Sequence, residues 1–254
     1  MSLSLAACIQ IRMNVNVFIP CYIDQLAPET AFNMIRVLRK AGCVVEYNPG
    51  QACCGQPAYN AGYWDEAKKM GQRLLRELPP DKPTVVPSAS CVGMVKTGYN
   101  DLFTNTVDHN RCRTVQGQIY EISEFLVHVL SYDYFGAELD AKAVYHDSCS
   151  ALRTCGIRDE PRQLLQKVAG LELIEAPDAE VCCGFGGTFS YKFPELSSAM
   201  AEQKVLNALD LGADLIISTD SGCLLHLQSY IDQKNLPIRT MHLADVLCQG
   251  WPNI

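Results

Sequence analysis

The chain has 254 residues, 48% of them apolar and 19% charged, with a formal net charge of −7. That length holds one large or two small domains with an ample core, and the acidic balance excludes a dominant phosphate-binding surface, so nucleic acid is not an expected partner. No apolar run approaches the roughly 18 residues needed to cross a bilayer. The stretch Met1 to Arg12 has a short apolar piece, Leu3 to Cys8, but Gln10 and Arg12 interrupt it and it lacks the basic start of an export signal. The expectation is a cytoplasmic protein, peripheral to a membrane only through a partner. Met13 is a candidate natural start, because the first strand begins just after it.

Val15 to Cys21 reads as a buried strand. A helix follows from Pro28 to Lys40, with proline in its first turn, an apolar stripe at Ala31, Met34, Ile35 and Leu38, and Gly42 just past its end. Cys43 to Tyr47 is a second strand, and a loop carries Cys53-Cys54-Gly55. The next helix spans Gly62 to Leu78, with Trp64, Ala67, Met70, Leu74 and Leu75 on one face, and Pro79-Pro80 stops it. Thr84 to Pro87 is a short strand, a helix starts near Cys91, Tyr120 to Leu130 reads as helical, and Asp133 to Asp140 as a linker.

The pattern then begins again. Ala143 to Asp147 is a strand leading to Cys149, a helix runs from Asp159 to Ala169, and Leu171 to Glu175 is a strand. The loop Cys182-Cys183-Gly184-Phe185-Gly186-Gly187 follows, then a long helix from Lys192 to Leu211. Asp214 to Ser218 is a strand feeding Asp220-Ser221-Gly222-Cys223, a helix runs on to Lys234, and Ile238 to Thr240 is a last strand. The tails match as well: Ile119 to Leu126 resembles Ile238 to Leu247.

The cysteines make the repeat quantitative. Cys21 recurs as Cys149 at an offset of 128, Cys53 and Cys54 as Cys182 and Cys183 at 129, and Cys91 as Cys223 at 132. The predicted fold is α/β: two tandem repeats of a parallel-sheet, Rossmann-like β/α unit related by internal duplication, one in residues 13–135 and one in 141–250. Ligand sites in such sheets lie outside the carboxyl ends of the strands. Cys21, Cys91, Cys149 and Cys223 fall at those ends, so each half can gather four cysteines at one edge.

Thirteen cysteines in a reducing compartment point to metal, cluster or redox chemistry. Thiolates select zinc, Cu(I) or iron–sulfur clusters. Structural zinc sites favour tight Cys-x(2–4)-Cys knuckles, whereas these cysteines recur more than thirty residues apart around each adjacent pair. Neighbouring side chains diverge, which is awkward for one tetrahedral ion and suits a cluster with several metal atoms. The glycine after each pair lets backbone N–H groups approach the sulfurs. Zinc remains the alternative, and a vicinal-disulfide switch explains Cys53-Cys54 without explaining the recurrence of Cys21 and Cys91.

Other residues carry simpler readings. Cys8, Cys43, Cys112, Cys155 and Cys248 read as packed thiols. His146, His226 and His242 read as satisfied core histidines, His146 also as a donor behind the ligands. Arg153 is a candidate to offset thiolate charge or to make a surface ion pair, and Asp24 a candidate helix cap.

The strings Cys-x31-Cys-Cys-Gly, ending at Ser88-x-x-Cys91, and Cys-x32-Cys-Cys-Gly, ending at Asp220-x-x-Cys223, resemble the duplicated cysteine-rich domain found in heterodisulfide reductase and in the iron–sulfur component of glycolate oxidase. With Pro20-Cys21-Tyr22 and His146-Asp147-Ser148-Cys149 added, the chain from Met13 onward most resembles the lactate utilization protein A family. The resemblance implies an iron–sulfur electron-transfer subunit of a complex oxidising L-lactate to pyruvate. It implies a ferredoxin-type iron–sulfur partner, a third small subunit, and a quinone or other acceptor. Cys21, Cys53, Cys54 and Cys91 would hold one cluster, and Cys149, Cys182, Cys183 and Cys223 another. The relatives' repeats end in Cys-x-x-Cys and can hold a five-cysteine cluster. Here Ser88 and Asp220 replace the first of those cysteines, which points to [4Fe–4S] clusters, and the relatives' disulfide-cleaving chemistry is not carried over. Two other readings stand beside it: a zinc-stabilised docking module and a thiol redox sensor.

Overall fold

A computed structural model describes residues 12–252; the expectations for Leu3 to Cys8, including a packed Cys8, lie outside the described residues. Two four-stranded sheets, parallel throughout, form the frame. The first contains β1 (Asn14–Val17), β2 (Val44–Tyr47), β3 (Thr84–Val86) and β4 (Ile119–Glu121) in the order β2-β1-β3-β4. The second contains β5 (Glu138–Tyr145), β6 (Ala169–Ile174), β7 (Leu215–Ser218) and β8 (Arg239–His242) in the order β6-β5-β7-β8. Val17 pairs with Tyr47 and Val85, and Val144 pairs with Ile174 and Ile216. The strand orders are the same, so the duplication read from the cysteines is a duplication of the fold. Helices supply the crossovers that parallel strands require.

The Pro28–Lys40 helix lies where its stripe predicts and buries Met34, Val37 and Leu38. The Trp64–Glu77 helix turns differently from the prediction. Ala67, Leu74 and Leu75 face inward, while Trp64 and Met70 stay exposed at 55% and 41%. Gly71 is the cause: a Cβ there would lie 2.9 Å from the Phe103 ring, so the helix seats its glycine on Tyr99 and Phe103. The predicted long helix from Lys192 to Leu211 runs from Pro194 to Asp210, and Lys192 instead ends a short helix before it, Thr188–Lys192. Pro194 disfavours helical backbone at Phe193, which sits at φ −134° and ψ 62°. Cys21 opens the Cys21–Leu26 helix after Pro20, and Asp24 lies in its first turn rather than capping it.

The stretch from Tyr120 is not helical from its start. Its first residues belong to β4, and the Glu121 side chain then caps the turn beginning at Ile122, in a reciprocal box with Glu124. The segment read as a linker already contains the start of β5 at Glu138.

The inner strands of both sheets bury both faces, as in parallel sheets, while the edge strands β2 and β6 stay partly exposed. Val15, Val17 and Val85 join Tyr145, Leu215 and Ile217 in one core shared by the two halves, filled by Met34, Val37, Leu38, Leu164 and Leu165. The opposite faces carry separate cores: Phe18 and Val86 with Leu74 and Leu75 in the first half, and Val144 and Ile216 with Ala201 and Val205 in the second. Asp245 adds a polar tie across the shared layer, accepting from Thr30 Oγ1 at 2.8 Å and Asn33 Nδ2 at 2.9 Å.

Glu121 is fully buried, and that burial pushes its carboxyl from 4.5 up to about 8. The folded state therefore holds a proton that the unfolded chain releases. Its contribution to stability is present below about pH 4.5 and is lost as pH rises through about 8. Glu121→Gln removes this loss. Thermal melts across that range should show the variant's midpoint climbing relative to wild type as pH rises; a constant difference would contradict the assignment.

Candidate metal centre

The strand ends deliver the cysteines in matched steps. The step from Val17 to Cys21 recurs from Tyr145 to Cys149, and that from Val86 to Cys91 recurs from Ser218 to Cys223. Each adjacent pair arrives on the loop after the second strand of its half. All eight cysteines line one cleft between the halves, about 880 Å³ with the part open to solvent, together with Tyr22, Gln56, Ser90, Phe185 and Gly187. Sequence reasoning puts four at each sheet edge; the structure turns the two edges toward one space. The Tyr22 and Phe185 rings meet edge-on across it, 5.7 Å between centroids.

Within each set the sulfurs form a file. Cys21 Sγ lies 3.8 Å from Cys53 Sγ, and Cys54 Sγ lies 3.4 Å from Cys91 Sγ. The amide of the glycine after each pair points at the pair's first sulfur: Gly55 N to Cys53 Sγ and Gly184 N to Cys182 Sγ, both 3.4 Å. The Cys21 thiol, then the Cys54 thiol and the Gly55 amide, pull the Cys53 thiol down to about 3. Cys149, Cys183 and Gly184 pull Cys182 down to about 2 in the same way. The donors Cys21 and Cys149 are pushed well up, first by those hydrogen bonds and then by burial. Each half thus carries a built-in thiolate with a deeper thiol beside it, a donor set that fits a soft metal–sulfur group.

The glycines are required by close packing as well as by backbone. Gly55 has φ +84° and backs onto the Ala67 carbonyl, where a Cβ would come within 3.0 Å. Gly184 has φ +92° and backs onto the Ser197 carbonyl, at 2.7 Å. In both halves the loop is pressed against the next long helix, Trp64–Glu77 or Pro194–Asp210.

The two positions that depart from Cys-x-x-Cys have other partners. Ser88 Oγ pairs with Ser90 Oγ at 3.0 Å. Asp220 accepts from Gly222 N at 3.1 Å, capping the Ser221–Lys234 helix, and from Ser90 N of the other half at 2.9 Å. Asp220 therefore ties the halves together at the cleft. His242 does likewise, its Nε2 3.0 Å from the Pro87 carbonyl.

The sequence profile of the cysteine-rich domain matches residues 15–96 and again 143–228. Lactate utilization protein A of Halalkalibacterium halodurans is 41% identical over 92% of this chain and 96% of its own length. The Geobacillus kaustophilus protein of the same name is 39% identical over 92% and 98%. The chain belongs to the lactate utilization protein A family. Among solved structures, a hypothetical protein from Helicobacter pylori superposes with a TM-score of 0.64 at 13% identity, which speaks for the fold. It matches 94% of this chain, and this chain spans about half of that longer one, 49%.

The remaining candidates separate cleanly. His226 is satisfied by Ser197, its Nε2 3.1 Å from the hydroxyl and 3.2 Å from the carbonyl. His146 is buried but not satisfied: neither ring nitrogen has a hydrogen-bond partner. Burial, with the Lys204 charge nearby, holds its pKa down at about 3, so the ring is neutral. Arg153 is exposed and donates to the Glu180 carbonyl at 3.2 Å. Cys43, Cys112 and Cys248 are buried thiols, pushed up to about 11, 11 and 12 by burial. Cys155 packs between the halves, 3.6 Å from the Ala89 carbonyl.

Two supports were not singled out from the sequence. Lys204, 5% exposed, donates to the Asp178 carbonyl beside Cys183 and Cys223. Asp147, 1% exposed, takes a two-pronged hydrogen bond from Arg162 at 2.9 and 2.7 Å, which fixes the turn into Cys149. An Asp and an Arg fifteen residues apart carry no periodic signal; only the meeting of strand end and helix pairs them.

Gly62 has φ +86° but open space around it. Gly62→Ala should cost about 1 kcal/mol from backbone strain alone. Gly184→Ala adds a clash with a backbone carbonyl and should cost about 2–4 kcal/mol. Denaturant unfolding of metal-free protein measures both, and equal costs would refute the close packing of the loop.

Proposed function

We propose that this chain is an iron–sulfur electron-transfer subunit of a complex that oxidises L-lactate to pyruvate. The observation that carries the reading is the arrangement of the thiols. A tetrahedral zinc ion with four sulfurs at about 2.3 Å needs them about 3.8 Å apart, all four mutually. Among the described residues no three cysteine sulfurs lie within 4.8 Å of one another; the one such trio is His146, Cys183 and Cys223. The four cysteines of each half line one cleft without converging on a single point, which suits a group with several metal atoms, each taking one thiolate. Cys21, Cys53, Cys54 and Cys91 would hold one [4Fe–4S] cluster, and Cys149, Cys182, Cys183 and Cys223 a second. Such clusters supply one-electron transfer.

The thiol-switch reading is weaker on the same geometry. Cys53 meets Cys21 as well as Cys54, and Cys54 meets Cys91 as well as Cys53, so each member of the pair has an outer partner that a two-thiol switch does not use. The shared name of the relatives, lactate utilization protein A, supports lactate as the substrate. The partners would be a ferredoxin-type iron–sulfur subunit and a third small subunit, with a quinone or other acceptor beyond them. The setting would be cytoplasmic, where thiols stay reduced; among the described residues no helix is long and apolar enough to cross a membrane.

Within the chain, the Gly55 and Gly184 amides donate to sulfur, Lys204 offsets charge in the second half, and Asp220 holds the two sets in register. Anaerobic reconstitution followed by iron and acid-labile sulfide assay tests the reading. Wild type should carry iron and sulfide in equal amounts, and Cys54→Ser and Cys183→Ser should each lose about half. Colourless, iron-free protein would refute it. Stoichiometric zinc unaffected by air would favour the docking module. A redox response abolished by Cys53→Ser but kept in Cys21→Ser would favour the sensor.

A further inference from the structure

Phe18 and His146 hold the same place in the two halves. Each lies three residues before the first cysteine of its set. Each backbone N–H bonds the neighbouring strand in the same way: Phe18 N to Val85 O at 3.0 Å, and His146 N to Ile217 O at 2.8 Å. Phe18 packs in an apolar core with Cys54 and Cys91. The fold therefore accepts a purely apolar ring there, and nothing in its packing demands a polar one.

His146 breaks that pattern at a cost. It is 2% exposed, and both ring nitrogens lack a partner. The Ala179 carbonyl, which accepts from the Asp147 backbone N–H at 3.1 Å, lies beside the ring and favours its N–H, but not at a distance and angle that make a hydrogen bond to either ring nitrogen. Leaving a buried polar group unpaired is destabilising, so the ring is expected to have a partner at the site it faces. One ring nitrogen lies within 4.8 Å of Sγ of both Cys183 and Cys223. Four cysteines already complete the second ligand set, so the ring is not needed as a ligand.

We propose that His146 donates its ring N–H to sulfur at the Cys183–Cys223 end of the second set, making the two centres unequal in reduction potential. The inference rests on the iron–sulfur reading above. A hydrogen bond to sulfur favours the more negative, reduced state and so raises the potential. The first set has Phe18 there and receives no such donor. The second centre would then be the better electron acceptor, which gives transfer between the two a direction.

The test is an anaerobic redox titration of the reconstituted full chain, followed by electron paramagnetic resonance. His146→Phe places in the second half the ring that the first half already uses. Iron and sulfide should match wild type, and one of two midpoint potentials should fall while the other stays. The expected fall is about tenfold in the reduction equilibrium, or about 59 mV for one electron. His146→Gln keeps an N–H donor and should recover part of the shift. If His146→Phe does not fold, wild type carrying isotope-labelled histidine decides: weak nitrogen coupling to one centre supports the hydrogen bond, and no coupling overturns it. Unchanged potentials at full iron content also overturn it. Loss of iron from the second site in folded His146→Phe protein overturns it in favour of a ligand. Wild type that takes up no iron overturns it together with the reading on which it rests.

Discussion

The shared core between the two sheets decides where the cysteines meet. Successive strand residues point to opposite faces, so Val17 and Tyr145 commit to the common layer while Phe18 and Val144 commit to the outer ones. Each fully buried aliphatic or aromatic side chain contributes roughly 1.5–3 kcal/mol, and the common layer takes such residues from both halves. No single polar contact at the cleft matches that sum. The direct polar ties, Asp220 to Ser90 and His242 to Pro87, therefore refine a relation that apolar packing sets. With both sheets fixed to one layer, the strand ends of both halves open onto the same cleft, and eight thiols that the chain keeps far apart face one another.

Duplication left some features equal and others not. The glycine after each pair, its positive φ, its seat on the next long helix and its amide-to-sulfur distance recur in both halves. These are what an adjacent cysteine pair needs to turn in a tight loop. The layer behind the sulfurs has diverged: Phe18 against His146, Ser88 against Asp220, and the caps Glu121 against His242. The loops that present the cysteines are held constant while the polarity behind them differs, so the two sets sit in unlike surroundings.

Much of this was legible from the chain. Constant cysteine offsets marked the duplication, and the helix from Pro28 to Lys40 followed from its stripe and its proline. β4 was missed because three residues are too few for an alternating signal and a helical turn follows at once. The tail match of Ile119 with Ile238 held the information, since β8 at the second position is a clear strand. Trp64 and Met70 misled because size suggests burial, whereas Gly71 set the face. The meeting of both sets in one cleft had no signature at all, because it depends on which sheet faces pack together. The unpaired state of His146 was hidden for the same reason: three core histidines look alike until their neighbours are placed.

An adjacent cysteine pair is at first sight a poor choice for one site, because neighbouring side chains part. Here the parting is the useful property. Cys53 is half-buried and meets the exposed Cys21, while Cys54 is buried and meets the buried Cys91. The second half grades in the same direction, from half-buried Cys149 and Cys182 to buried Cys183 and Cys223. A single loop thereby supplies one sulfur near the mouth of the cleft and one at its depth. A group held between them would keep one edge within reach of a partner and the rest away from water. An electron carrier needs both, and a structural zinc needs neither.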